Sequence, residues 1–378
     1  MTSLFEQITA GTVYTGSWHR AHGGVHSVTE AATGAVIGEI GVADADDVTA
    51  AGRGAVAAQP RWEETAFVQR AAVLHRAADH LDALTREERV VMQREEGATA
   101  AKVDGEIHKC VEELRAAAAL VDQPCGELLP SVDPIELSMA RRVPAGVIGV
   151  IAPWNAPMLL AMRSVAPALA LGNSVLLKPD VKTGISGGIV IARAFEAAGL
   201  PAGVLHVLPG GPATGQAVVS CSDIDVISFT GSTEAGRRVG ALAGGLLKKV
   251  VLELGGNNAL IVLDDADLDH AVEAAIAGSL LHQGQICMAT GRHLVHESIA
   301  DEYTERLRAH VAGLRVGDPT AADTHIGPLI NEEQARRLGD IVDRAVSEGA
   351  RMLVGGRQDG PFFTPTLLDD VAPGNAAF

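Results

Sequence analysis

Cys287 stands in the stretch HQGQICMATGRHLVH (282–296), and Glu253 precedes it by 34 positions in VLELGGNNALIVLDDADLD (251–269). A thiolate is a soft nucleophile for a carbonyl carbon, and a carboxylate can take a proton from water. A reactive thiol preceded by a carboxylate, on a strand end halted by Gly255 and Gly256, is therefore a set that can form a thioester and release it. A third feature is Gly231-Ser-Thr-Glu-Ala-Gly236, between an apolar run and a helical stretch. That placement aims free backbone N–H groups at a phosphate. Each residue also has an ordinary alternative. A small cysteine usually packs as an inert hydrophobe, a glutamate at a strand end is usually solvated or caps a helix, and a single GxxxxG is weak evidence.

The elements that must position these residues follow from the pattern of the chain. With 378 residues it exceeds one small core and suits two domains. Hydrophobic residues make up 47%, with 42 glycines and 3% aromatics, which suits small helices packed on Val/Ile/Leu strands. Residues 43–120 read as amphipathic helices, with apolar residues at three- and four-residue intervals. The segment 122–144 breaks that pattern with prolines and reads as a hairpin or bridge. From 147 onward five short apolar runs (VIGVIAP, SVLLKP, VLHVLPG, VISFTGS, KKVVLEL) alternate with helical stretches. This rhythm predicts an α/β fold with a doubly wound parallel sheet, whose ligands bind at the carboxyl ends of the strands. A second α/β unit is expected after Gly255-Gly256.

Composition also excludes partners. A formal charge of −17 repels a phosphate backbone, so nucleic acid is not expected, and anionic membrane is disfavoured for the same reason. No basic segment followed by an apolar stretch opens the chain, and no run of about 18 uncharged apolar residues occurs. The four cysteines lack CxxC spacing, which points to a reducing cytoplasmic setting that keeps Cys287 a thiol. His282, His293 and His296 have no metal-site spacing and read as structural, so no metal is expected; HLVHESI reads as a strand.

PWNAP (153–157), FTGSTEAG (229–236), the ELGG stretch and the Cys287 stretch, in that order, closely resemble the aldehyde dehydrogenase superfamily. The resemblance implies a Rossmann-type dinucleotide-binding domain (1–121 and 145–252), a bridging and oligomerising segment (122–144), and a catalytic α/β domain (253–378). It implies that Cys287 attacks an aldehyde and passes from thiohemiacetal to thioester, and that Glu253 activates the hydrolytic water. Asn155, otherwise a turn asparagine beside prolines, would hold the oxyanion together with the Cys287 backbone N–H. For the cofactor it implies Ser232, between Gly231 and Gly236, at a phosphate and Lys178 at the adenosine ribose. Gly211, Gly215, Ile151, Trp154 and Leu254 would complete the site.

The chain departs from the family at two places. The ribose-gripping glutamate three residues after the lysine is Val181, followed by Lys182, so NAD is the default expectation and NADP is left open. The segment resembling FFTPTLLDDVAPGNAAF (362–378) is followed in the family by a Glu-Xaa-Phe-Gly-Pro motif that holds the nicotinamide ribose, and this chain ends before it. The expected architecture is thus truncated, with homo-oligomerisation implied for the full-length form. MRSVAPALALGN (162–173) and the two catalytic stretches look most like the benzaldehyde and vanillin branch, giving an aromatic aldehyde as the expected substrate. The alternatives are an aliphatic semialdehyde substrate, or a remnant that only binds dinucleotide or a partner.

Overall fold

Val147–Ile151, Ser174–Lys178 and Leu205–Val207 are buried at every residue. Strands covered by helices on both faces carry no polar alternation, and that is why they read as plain apolar runs. The computed structural model describes residues 4–8 and 10–378. Residues 1–3 and 9, part of the N-terminal segment read above for a leader, lie outside the described residues. By its internal contacts the chain divides into two units. The first comprises residues 1–28, 38–85 and 106–253, and the second 29–37, 86–105 and 254–378.

The first unit is built on a seven-stranded sheet. Its order is Lys249–Leu254, Val226–Gly231, Val147–Ile151, Ser174–Lys178, Leu205–Val207, Thr12–Tyr14, Trp18–Arg20. The four strands from Val226–Gly231 to Leu205–Val207 pair in parallel. The chain therefore runs outward from Val147–Ile151 through two strands on one side, then returns to build on the other. Such a reversal opens a crevice at the carboxyl ends of the two strands where it occurs. The expected doubly wound α/β sheet is present. The two N-terminal strands extend it antiparallel, an addition not anticipated from the sequence.

Helix Ala45–Glu64 starts at a reciprocal cap: the Asp44 carboxylate accepts from the Asp46 and Asp47 N–H groups, and Asp47 accepts from the Asp44 N–H. The helix buries Trp62, whose indole N–H donates to the Leu169 carbonyl at 2.9 Å. It packs on Ser174–Lys178, as does helix Pro157–Ala170. Residues 126–141 form an antiparallel hairpin, Gly126–Leu129 with Ser138–Arg141, that pairs only with itself among the described strands.

The second unit pairs Ala259–Val262 in parallel with Arg292–Val295. Helices Leu268–Leu280 and Ala300–Ala312 close a core of Val262, Val272, Ala275, Tyr303, Leu307 and Val311. Helix Glu332–Ser347 joins a smaller cluster with Leu329 and Phe363. Arg351–Val354 and Leu367–Asp369 form an antiparallel pair. Helix Arg86–Glu96 also belongs to this unit, and the sequence pattern had not separated it from its neighbours. Among the described residues no helix is long and apolar enough to cross a membrane.

Candidate active site

The parallel register brings several of the expected residues to one end of the first sheet. Ile151 pairs with Lys178 on one side and Phe229 on the other, so the ends of three adjacent strands lie level. From Ile151 the chain passes through Trp154 and Asn155, both half-buried, into helix Pro157–Ala170. From Phe229 it passes through Gly231 to Ser232, the N-cap of helix Thr233–Gly245. The Ser232 hydroxyl accepts from the Ala235 N–H at 3.2 Å, and Gly236 is buried in the first turns of that helix. Gly211 is the N-cap of helix Pro212–Ser220, and a Cβ added at Gly211 or Gly215 would meet no atom within 4 Å. That helix start faces open space, where a phosphate or sugar could approach the backbone closely.

Lys178 is only 6% exposed, and its ammonium makes no hydrogen bond among the described residues. Burial lowers its pKa, Asp180 works against the shift and Lys182 adds to it. A buried cation at a strand end with nothing to donate to is suited to an incoming hydroxyl or phosphate oxygen. Lys182 lies 3.7 Å from Asp180, whose carboxylate also accepts the Lys182 N–H. The positive charge of Lys182 is therefore partly balanced by its neighbour.

Glu253 is exposed near the end of Lys249–Leu254, and Leu254 is half-buried. Asn155 and Glu253 belong to the first unit and Cys287 to the second. Cys287 is exposed, on a turn between helix Leu268–Leu280 and strand Arg292–Val295. Its carbonyl accepts from the Asn258 side-chain amide at 3.0 Å, and the same amide donates to the Ala289 carbonyl at 3.3 Å. A Cβ built on Gly256 would lie 4.0 Å from the Cys287 carbonyl. Within the second unit, therefore, the GGNN segment that follows Glu253 and Leu254 in the chain is laced to the cysteine turn.

The three histidines near Cys287 have separate surroundings. His293 is held by the Tyr303 hydroxyl at 2.9 Å, the Ser279 hydroxyl at 3.0 Å and the Thr290 carbonyl at 3.1 Å. His282 is buried, which keeps its ring neutral by a pKa well below the usual value, with Lys102 adding to the shift. HLVHESI was expected to form a strand throughout, but the strand ends at Val295 and the His296 ring caps the next turn. Ser298, whose hydroxyl also lies 2.9 Å from His296 Nδ1, favours that local bond over the ladder.

Residues 18–378 match the model of the aldehyde dehydrogenase family. The chain belongs to that family. It is similar to a vanillin dehydrogenase of Amycolatopsis sp., 52% identical over 378 residues, which is all of this chain and 78% of the relative. It is also similar to a benzaldehyde dehydrogenase [NAD(+)] of Pseudomonas putida, 48% identical over 97% of this chain and 76% of the relative. Among solved structures, an NAD-dependent benzaldehyde dehydrogenase from Corynebacterium glutamicum superposes with a TM-score of 0.93 at 38% identity, covering 100% of this chain and 80% of that one.

Two positions that reading the family motifs missed support the same segments of this aldehyde dehydrogenase chain. Glu106 is 4% exposed, and its Oε1 accepts from the Met158 and Leu159 N–H groups at 2.9 and 3.0 Å. Helix Pro157–Ala170 has no cap of its own at Ala156, so a distant carboxylate satisfies the donors next to the Trp154-Asn155 turn. Nothing in the sequence around Glu106 announces a partner 52 positions away. The second is Gln283, whose backbone is left-handed, with φ 59°.

Proposed function

We propose that the chain oxidises an aromatic aldehyde of the benzaldehyde type to its carboxylic acid, with NAD as hydride acceptor. The observation that carries this is the identity of 52% along the entire chain with a vanillin dehydrogenase, with a benzaldehyde dehydrogenase [NAD(+)] close behind. The geometry of the chain's own residues supports this chemistry. Cys287 is exposed on a turn whose carbonyl is tied down, so its Sγ can reach a carbonyl carbon. Attack gives a thiohemiacetal, whose oxyanion the Asn155 amide and the Cys287 N–H stabilise. Loss of hydride leaves a thioester, and Glu253 takes the proton from the water that cleaves it.

The open helix start at Gly211 and Gly215, the Ser232 cap, Gly231 and Gly236, and buried Lys178 would hold the dinucleotide, with Ile151, Trp154 and Leu254 beside it. The bound dinucleotide supplies the hydride acceptor. Pairing of Lys182 with Asp180 favours NAD over NADP, because a 2′-phosphate would meet a carboxylate as well as an ammonium. The hairpin at 126–141 exposes Leu128, Val132, Ile135 and Leu137, which supports its covering by a second copy in a cytoplasmic homo-oligomer.

The test is formation of reduced dinucleotide from benzaldehyde, with NAD and NADP in parallel, by wild type and Cys287→Ser. NAD-dependent turnover that Cys287→Ser abolishes is the expected result. Equal turnover by the serine variant would remove Cys287 from the mechanism, and turnover with succinic semialdehyde alone would remove the aromatic substrate.

A further inference from the structure

The segment between helix Leu268–Leu280 and Cys287 takes an unusual course. His282 (φ 50°, ψ 45°), Gln283 (φ 59°, ψ 24°) and Gly284 (φ 74°) are left-handed in succession. Glycine adopts this region freely, but in the other two the Cβ crowds the following carbonyl oxygen, which makes the conformation costly. Something must hold them there. Gln283 Nε2 donates to the Gly97 carbonyl at 2.8 Å and to the Pro328 carbonyl at 2.8 Å, so both amide hydrogens are used. All three residues lie in the second unit.

Room for this amide depends on another residue. A Cβ at Gly327 would lie 2.6 Å from Gln283 Nε2 and 2.3 Å from the Gly97 carbonyl oxygen, so a side chain at 327 would expel the amide from its slot. Gln285 adds a second tie to the same region, its Oε1 accepting from the Ile330 N–H at 3.1 Å. With Asn258 holding the Cys287 carbonyl, the turn is fixed on both sides of the thiol.

We propose that Gln283 is a positioning residue: it locks the left-handed turn onto Gly97 and Pro328 and thereby sets where Cys287 presents its sulfur. The proposal rests on the reading of Cys287 as nucleophile. Gln283→Glu keeps the shape but turns a carboxylate toward two carbonyls, so the clamp is lost. Gln283→Gly removes the amide while also removing the left-handed cost at that residue. Gln283→Asn tolerates the backbone but is one methylene too short for both carbonyls.

The experiment measures kcat, KM for benzaldehyde, and the rate of iodoacetamide alkylation at Cys287, located by peptide mass, beside the urea midpoint. Misplacement of a reacting group by an ångström costs up to about 100-fold. All three variants are expected to lose roughly 10- to 100-fold in kcat, with KM little changed, and to show a changed alkylation rate at Cys287 even where the urea midpoint matches wild type. Gly327→Ala, which keeps Gln283 in the sequence but crowds both its Nε2 and the Gly97 carbonyl, is expected to reproduce this. If Gln283→Glu fails to fold, Gln283→Gly carries the test. Wild-type kcat and alkylation in Gln283→Gly would overturn the proposal, since the amide would then serve only to offset backbone strain. Cys287→Ser separates the two readings. An active serine variant overturns the nucleophile, whereas a dead serine variant with Gln283 variants at wild-type rates overturns the clamp alone.

Discussion

His206 sits in the central sheet of the first unit, on Leu205–Val207, and is 2% exposed. Burial pushes its pKa down to about 4 from the ordinary 6.5, and His19 pushes the same way, while the Nε2 contact with the Gly203 carbonyl at 2.9 Å opposes the shift. The folded state thus refuses a proton that the unfolded chain accepts. Between pH 6.5 and pH 4 the unfolded state binds more protons, so stability rises with pH in that window and falls as the solution is acidified through it. The fall from 6.5 to about 4 corresponds to roughly 3 kcal/mol, of which about 2 kcal/mol is lost between pH 7 and pH 5. His206→Gln keeps a donor for the Gly203 carbonyl and cannot titrate. Urea unfolding at pH 7 and pH 5 should show wild type losing about 2 kcal/mol more than His206→Gln between the two conditions. Equal losses would refute the reasoning, because the buried ring would then not be the group that takes up the proton on unfolding.

Two further predictions concern the site. Glu106→Ala leaves the Met158 and Leu159 N–H groups without their acceptor; a loss of about 2–4 kcal/mol in urea stability is expected, with kcat falling through the adjacent Asn155 turn. Unchanged stability would mean that water replaces the carboxylate. Lys178→Met should weaken NAD binding by about 10-fold or more, measured by calorimetry, while relieving a buried charge and leaving the protein at least as stable. NAD binding at wild-type strength would remove Lys178 from the cofactor site.

How much of this was visible beforehand depends on the kind of residue. Val147–Ile151 and Leu205–Val207 could be read because a buried parallel strand is an unbroken apolar run ended by Gly or Pro. Helices Ala300–Ala312 and Glu332–Ser347 lie in the stretch after Gly255-Gly256 where a second α/β unit was expected. Thr12–Tyr14 and Trp18–Arg20 were invisible, since strands of three residues carry too little pattern. Arg86–Glu96 misled for another reason: it buries Gln93, Glu95 and Glu96, so its polar residues do not mark a solvated face.

The catalytic candidates were legible through motifs, but their supports were not. The Glu106 bond to the Met158 N–H and the Gln283 bonds to Gly97 and Pro328 join positions 52, 186 and 45 residues apart, and such partners leave no local signal. Nor does a non-glycine residue announce a positive φ, so the left-handed course of His282 and Gln283 is knowable only from the fold.

The most direct test of the central claim is the intact mass of Glu253→Gln mixed with benzaldehyde and NAD and quenched in acid. The account predicts a burst of about one NADH per active chain, little steady turnover, and one benzoyl group added to the protein, mapped to Cys287. Full steady turnover without an adduct, or a benzoyl group on Cys110, Cys125 or Cys221, would contradict it.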